Sequence, residues 1–246
     1  MTPDIRCTPA LPRQRGVALF AVVVFVMLSM LLALWASRTA LFHEMIVGNE
    51  ADYQRAYAAA EALLLDAELD IRGENADGSA CTGSGDICRT ATVDKMPLEA
   101  KDIGPLLAAL DQQAATARCR NGLCAKRTGP QDFWNDPTLL QAMARPAVGA
   151  RYGQFTGAQA GSGDRPANPI LADTSAPGQG GWYWIEVLPY DESSRHAGLI
   201  ADSGSRLLAL HLTPSVVYRI TALAYGRRPG TLVVLQQTYA RNKRKD

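Results

Sequence analysis

The sequence predicts an α+β protein: one very long N-terminal helix, its first half spanning a membrane, packed on a C-terminal antiparallel β-sheet of about four strands. Three observations carry this. Residues Val17–Ala36 are uncharged and hold one polar side chain, Ser29. Helical spacing continues beyond that run to about Arg72, and in the last third of the chain the apolar period changes from helical to two.

At ~1.5 Å per residue the apolar run reaches ~30 Å, the thickness of a bilayer's hydrocarbon core. A secretory signal fits poorly, because its apolar region is shorter and ends in an A-x-A-like site, which is absent from Ser29 to Ala40. Arg6, Arg13 and Arg15 precede the run, so the positive-inside rule keeps residues 1–16 in the cytoplasm and carries the bulk across. Residues 17–37 form the membrane half of the helix and residues 38–72 an amphipathic half. In the latter Tyr53, Tyr57, Ala60, Leu64, Ala67 and Ile71 recur at intervals of three and four, while Glu50, Asp52, Arg55, Glu61, Asp66 and Glu68 take other faces. Glu68 and Arg72 are spaced as an i,i+4 pair, and Gly73 is a suitable stop. Gly48-Asn49 is the weak point inside the helix, a candidate bend or melted turn.

Residues 73–180 read as irregular loop with short helices. Pro105 opens one helix and Asp136, as N-cap with Pro137 at the first turn, opens another. From Pro146 to Gly181 glycine, proline and alanine prevail without periodicity. Of five cysteines, Cys7 lies on the reducing side, whereas Cys81, Cys88, Cys119 and Cys124 lie in an oxidising space. Four there suggest two disulfides with three pairings open. The local pairs, Cys81 with Cys88 and Cys119 with Cys124, are favoured because Asn121-Gly122 can turn the CRNGLC loop back on itself. A structural zinc site is the competing reading.

Residues 181–241 supply the sheet: Trp182–Leu188, Arg206–Leu212, Val216–Tyr225 and Leu232–Tyr239 read as strands. In the third, Tyr218, Ile220, Ala222 and Ala224 alternate with Val217, Arg219, Thr221 and Tyr225, and Arg228-Pro229-Gly230 turns into the fourth. The long helix is the natural cover for the sheet's apolar face. Residues 242–246 continue a basic tail that includes Arg241, Lys243, Arg244 and Lys245, read as a solvated end.

The composition excludes a nucleic-acid footprint: net charge is +1, and the leader's three arginines leave the remainder close to neutral. His43, His196 and His211 share no metal-ligand spacing and read as surface or packed side chains. Neither Gly83-Ser84-Gly85 nor Gly161-Ser162-Gly163 matches a nucleophile elbow or a phosphate loop. Gly73–Ser84 lacks the acids of an EF-hand, leaving a looser calcium site at Asp77 and Asp86 as the remaining alternative. Trp182, Tyr183 and Trp184 read as one core face and one partly covered face, with stacking on a carbohydrate or partner as the alternative. No catalytic residue, cofactor or metal ligand emerges.

Arg15-Gly16 before an apolar helix, HEMIVGNEADYQRAYAAAEALL (His43–Leu64) and YRITALAYGRRPGTLVVLQQTYAR (Tyr218–Arg241) together resemble the type IV pilins, most closely the PilX-type minor pilins. Residues 73–180 carry no usable resemblance. The resemblance implies the type IV pilin fold, with disulfide-tied loops, and processing at Arg15, Gly16 and Val17: prepilin peptidase cuts after Gly16, and Val17 becomes an N-methylated terminus. It implies a subunit without chemistry, stored in the inner membrane with its C-terminal domain in the periplasm and then extracted into a pilus. The implied partners are other minor pilins, the major pilin, an adhesin-like tip protein, prepilin peptidase and the inner-membrane assembly platform.

One residue departs from the pattern of major pilins. The fifth mature position would be Ala21, where they carry a glutamate thought to pair with the neighbouring subunit's terminal amine. Its absence resembles subunits that sit at a filament tip and help prime assembly. Two alternatives stand beside the minor pilin: a tip-like minor pseudopilin of a type II secretion system, and a membrane-tethered extracytoplasmic enzyme.

Overall fold

The computed structural model describes residues 16–81, 87–89, 94–97, 100–114, 117–164, 166–176, 178–189 and 216–240. Arg15, Cys7, Asp86, His196, His211, the strand expected at Arg206–Leu212 and the basic tail lie outside the described residues. The chain divides into two units, residues 1–50 and 51–246.

Helix α1 runs from Gly16 to Arg72. In the first unit its large apolar side chains, from Val17 to Val47, are all exposed, and its most apolar 18-residue stretch has a mean hydropathy of 3.0. The Ser29 hydroxyl donates to the Phe25 carbonyl at 2.8 Å and that of Thr39 to the Trp35 carbonyl at 2.9 Å. Such back-bonding lets a polar group sit in an apolar medium without water. The chain is helical through Gly48 and Asn49.

In the second unit α1 ends as the glycine predicts. Gly73, at φ 68°, donates to the Asp70 carbonyl at 3.1 Å, and Glu74 donates to that of Leu69 at 3.0 Å. This is the Schellman pattern, in which a left-handed glycine lets the chain satisfy the helix's last carbonyls. Arg72 bonds Glu68 at 3.2 Å, the expected i,i+4 pair.

The remaining elements are helix α2 (Ala100–Asp111), strands β1 (Cys119–Arg120) and β2 (Leu123–Cys124), a 3-10 turn at Phe133–Asn135, helix α3 (Pro137–Met143), and strands β3 (Ala150–Arg151), β4 (Gly181–Pro189), β5 (Val216–Tyr225) and β6 (Leu232–Tyr239). The expected start of α2 at Pro105 is corrected: the helix begins at Ala100 and ends at Asp111 with the proline inside. Burial of Ile103, Leu106 and Leu110 on one face carries the helix upstream, at the loss of one backbone donor. Asp136 caps α3 as predicted, accepting from the Thr138 and Leu139 amides at 2.8 and 3.2 Å.

Among the described residues the sheet is mixed and six-stranded, where the sequence suggests an antiparallel one of about four strands. Its order is β1-β2-β4-β5-β6, with β3 also on β4. Leu123 and Cys124 of β2 pair in parallel with Ile185 and Glu186 of β4, while β3 pairs antiparallel at Trp182 and Tyr183. Two residues per strand are too few to print a period of two, so β1–β3 read as loop in the sequence. β4, β5 and β6 form the expected antiparallel core, from Gly181↔Ala224 to Tyr218↔Tyr239.

Both faces of this sheet are covered. Tyr183, Ile185, Val187, Tyr218, Ile220, Ala222 and Ala224 join Ala56, Ala60, Leu63, Ala67 and Ile71 of α1 in the larger core cluster. Small residues on both sides let helix and sheet approach closely. Trp182, Trp184 and Leu223 point the other way, into a second cluster with Phe133 and Met143. The partly covered face expected for this strand is therefore a buried one. The three aromatics are at most 2% exposed, which overturns the alternative of a carbohydrate stacked on them.

Candidate assembly site on the long helix

The buried stripe of α1 differs in phase from the one the apolar residues suggest. Ala56, Ala59, Ala60, Leu63, Leu64, Ala67 and Ile71 are buried, but Tyr53 and Tyr57 are exposed. Each tyrosine follows a buried residue, a turn of about 100° around the helix. Asp52 and Asp66, expected on solvent faces, are buried at 2% exposure, and Asp70, which carried no expectation, is buried at 3%. A buried carboxylate is tolerated only when hydrogen-bonded or paired, and each of these three holds a different part of the fold.

Asp52 takes the turn after β5. Its two oxygens accept the backbone N–H groups of Arg227 and Arg228, each at 3.0 Å. Burial works against its charge, yet the N–H of Arg228, the Thr231 hydroxyl and the N–H of Arg227 together hold its pKa below the usual value. Gly226 makes room for it: a Cβ there would lie 2.5 Å from Asp52 Oδ2. The turn itself is the one predicted, closed by Thr231 donating to the Arg228 carbonyl at 3.1 Å around Pro229-Gly230.

Asp66 takes the loop after β3, accepting the Gly153 N–H at 2.7 Å and the Thr156 hydroxyl. Here burial wins. It pushes the carboxyl up to about 6 against those two hydrogen bonds, and the Asp70 charge one turn away adds to the rise. A cavity of about 390 Å³ lies beside it, lined among others by Ala62, Leu69, Tyr152 and Ile87.

Asp70 takes the segment after Cys88. Arg89 donates to it from Nε at 2.8 Å and from Nη2 at 2.8 Å, and the Tyr183 hydroxyl donates at 2.8 Å. Burial opposes the Arg89 charge, but Asp70 and Tyr183 outweigh it and raise the pKa. Tyr183 is pushed well up by burial and then by the Asp70 charge. Sequence signals existed for this group: two aspartates one helical turn apart beside Leu and Ala positions would repel unless one met a cation.

Of the residues expected to be processed, Gly16 and Val17 fall at the start of α1. Gly16 is its first residue, and Val17 and Ala21 are exposed on the apolar segment. The four cysteines form two disulfides, Cys81–Cys88 with Cα atoms 6.1 Å apart and Cys119–Cys124 at 4.1 Å, leaving no thiolate of theirs for zinc. Cys119 and Cys124 are cross-strand partners in the β1–β2 hairpin, turned by Asn121 at φ 49° and Gly122 at φ 80°. Such Asn-Gly loops match the twist of the flanking strands. His43 is exposed. Among the described residues no group of three or more His, Cys, Asp or Glu side chains is placed to hold a metal.

The arrangement is one of anchoring. A long helix offers an apolar surface in one unit and, in the other, three carboxylates that fix loops around the sheet. Residues 120–241 match the family model described as type IV pilus assembly protein PilX C-term. The match takes in residues 120–180, where the sequence by itself offers no resemblance, and includes all six strands apart from Cys119. No curated protein and no solved structure matches the chain. Residues 120–241, which carry the mixed sheet and the loops that Asp52 and Asp66 hold, are thus similar to the C-terminal part of the PilX family of type IV pilus assembly proteins.

Proposed function

We propose that the chain is a minor pilin: a non-catalytic subunit that helps prime assembly of a type IV pilus and sits in its tip complex. The observation that carries this is the exposed apolar surface of α1 from Val17 to Val47, in one chain with a region similar to the PilX family. A helix apolar on all sides needs lipid or other apolar helices around it, and a pilin meets the first in the inner membrane and the second in the filament. Cleavage after Gly16 would free Val17, the residue for methylation. Ala21 leaves no carboxylate to seek an amine on a subunit above, which suits a terminal position. Gly48-Asn49 is the point where α1 would bend or melt as it enters the filament. The partners are then the major pilin, other minor pilins, an adhesin-like tip protein, prepilin peptidase and the assembly platform.

A tip-like minor pseudopilin of a type II secretion system would share the leader, the missing glutamate and the disulfides. The PilX match favours the pilus. Mass spectrometry of protein recovered from membranes tests the reading: the chain is expected to begin at Val17 when prepilin peptidase is active. An intact Met1–Gly16 segment there would sink it, and substituting a bulky residue at Gly16 is expected to trap the precursor.

A further inference from the structure

We propose that the Cys81–Cys88 disulfide is an oxidation-dependent latch that delivers the Arg89 guanidinium to the buried Asp70 carboxylate, so that the helix–sheet interface closes fully only after oxidation. Arg89 follows Cys88 directly, and the bridge ties it to the end of α1, because Cys81 donates its N–H to the carbonyl of Gly73 at 2.8 Å. Asp70, Gly73, Cys81, Cys88 and Arg89 therefore form a closed circuit around the helix terminus.

Arg89 is a hub. Its side chain is 3% exposed against 1% for Asp70. It donates to the Asn121 carbonyl in the β1–β2 turn at 2.7 Å and stacks over the Phe155 ring at 3.7 Å. One cation thus joins α1, the second disulfide hairpin and the loop after β3. Among the described residues it is the cation hydrogen-bonded to Asp70. With Arg89 withdrawn, Asp66 and Asp70 would remain as two carboxylates one turn apart in the core, and a buried charge without its partner is strongly unfavourable.

The bridge restricts where Arg89 can go and so raises its effective concentration at Asp70. Forming it removes two protons and two electrons from the thiols of Cys81 and Cys88, passed to a disulfide-bearing oxidant of the extracytoplasmic space that becomes a dithiol. That compartment rests on the function proposed above; the coupling between bridge and ion pair does not.

The test is a double-mutant cycle on the full chain in detergent micelles, read as the unfolding equilibrium constant. With the disulfide present, Asp70→Asn is expected to weaken folding at least about tenfold more than it does in the Cys81→Ser/Cys88→Ser background. Asp52→Asn, about five turns away on the same helix, should have the same effect in both. If Asp70→Asn acts equally in the two backgrounds, to within about twofold, the latch is wrong. Should Cys81→Ser/Cys88→Ser alone fail to fold, adding Asp70→Asn is expected to restore folded protein, and failure to do so overturns the proposal. None of these outcomes depends on cleavage at Gly16 or on pilus formation.

Discussion

Asp52 Oδ2 accepts the backbone N–H of Arg228 at 3.0 Å, across 176 residues of sequence. Through this contact a side chain near the start of the buried part of α1 sets the position of the β5–β6 turn, and with it the register at which Tyr225 meets Leu232.

Asp52→Ala is expected to lower stability by about 1.5–3 kcal/mol, the range for hydrogen bonds to a charged group. Arg227 and Arg228 are exposed, so their released N–H groups can turn to water and the loss should stay in that range. Denaturant titration measures it. Hydrogen exchange should quicken at residues 226–231 first, and unchanged exchange there would contradict the anchoring role.

Asp66 gives a pH dependence of definite sign. Its carboxyl titrates near 6 in the folded chain against about 3.9 unfolded, so the folded state holds the extra proton between those values. The contribution of Asp66 therefore improves as pH falls through about 6 and is at its worst above it. Asp52, with its pKa lowered, acts the other way, and its contribution is lost on acidification below about 4. Comparing wild type with Asp66→Asn isolates the first effect. From pH 7.5 to 5 the wild type should gain about 1 kcal/mol relative to the variant; a constant difference would show that Asp66 is not buried as described.

Gly122→Ala should be among the more damaging single substitutions. The position has φ 80°, and a Cβ there would lie 2.6 Å from Ala150 Cβ and 3.1 Å from the Ala150 nitrogen. Strain and displacement of β3 together should cost about 2 kcal/mol or more. The measurement is a thermal or denaturant midpoint with the Cys119–Cys124 bridge kept intact.

Ala21→Glu tests the proposed position at a filament tip. At a tip the new carboxylate would lie in an apolar helix with no amine above it, several kcal/mol unfavourable unless protonated. Pilus counts should therefore stay level or fall, and the protein should be rare relative to the major subunit in sheared pili. More pili in the variant, or near-equal stoichiometry, would place the chain along the shaft.

Much of this molecule is local enough to be legible in its sequence. Val17–Ala36 reads as an apolar helix long enough to cross a membrane, Gly73 ends α1, Asp136-Pro137 starts α3, Asn121-Gly122 turns the CRNGLC hairpin, and β5 and β6 show their period of two. Each signal is complete within a few residues, because helix ends, tight turns and strand faces depend on nearby dihedrals and side chains. Other features needed the fold. The parallel pairing of Leu123 with Ile185, the cover over Trp182 and Trp184, and the burial of Asp52, Asp66 and Asp70 join residues far apart in the chain. An aspartate beside an alanine stripe looks solvated until a distant amide, hydroxyl or guanidinium arrives to replace its water, and which group arrives is decided only when helix and sheet come together.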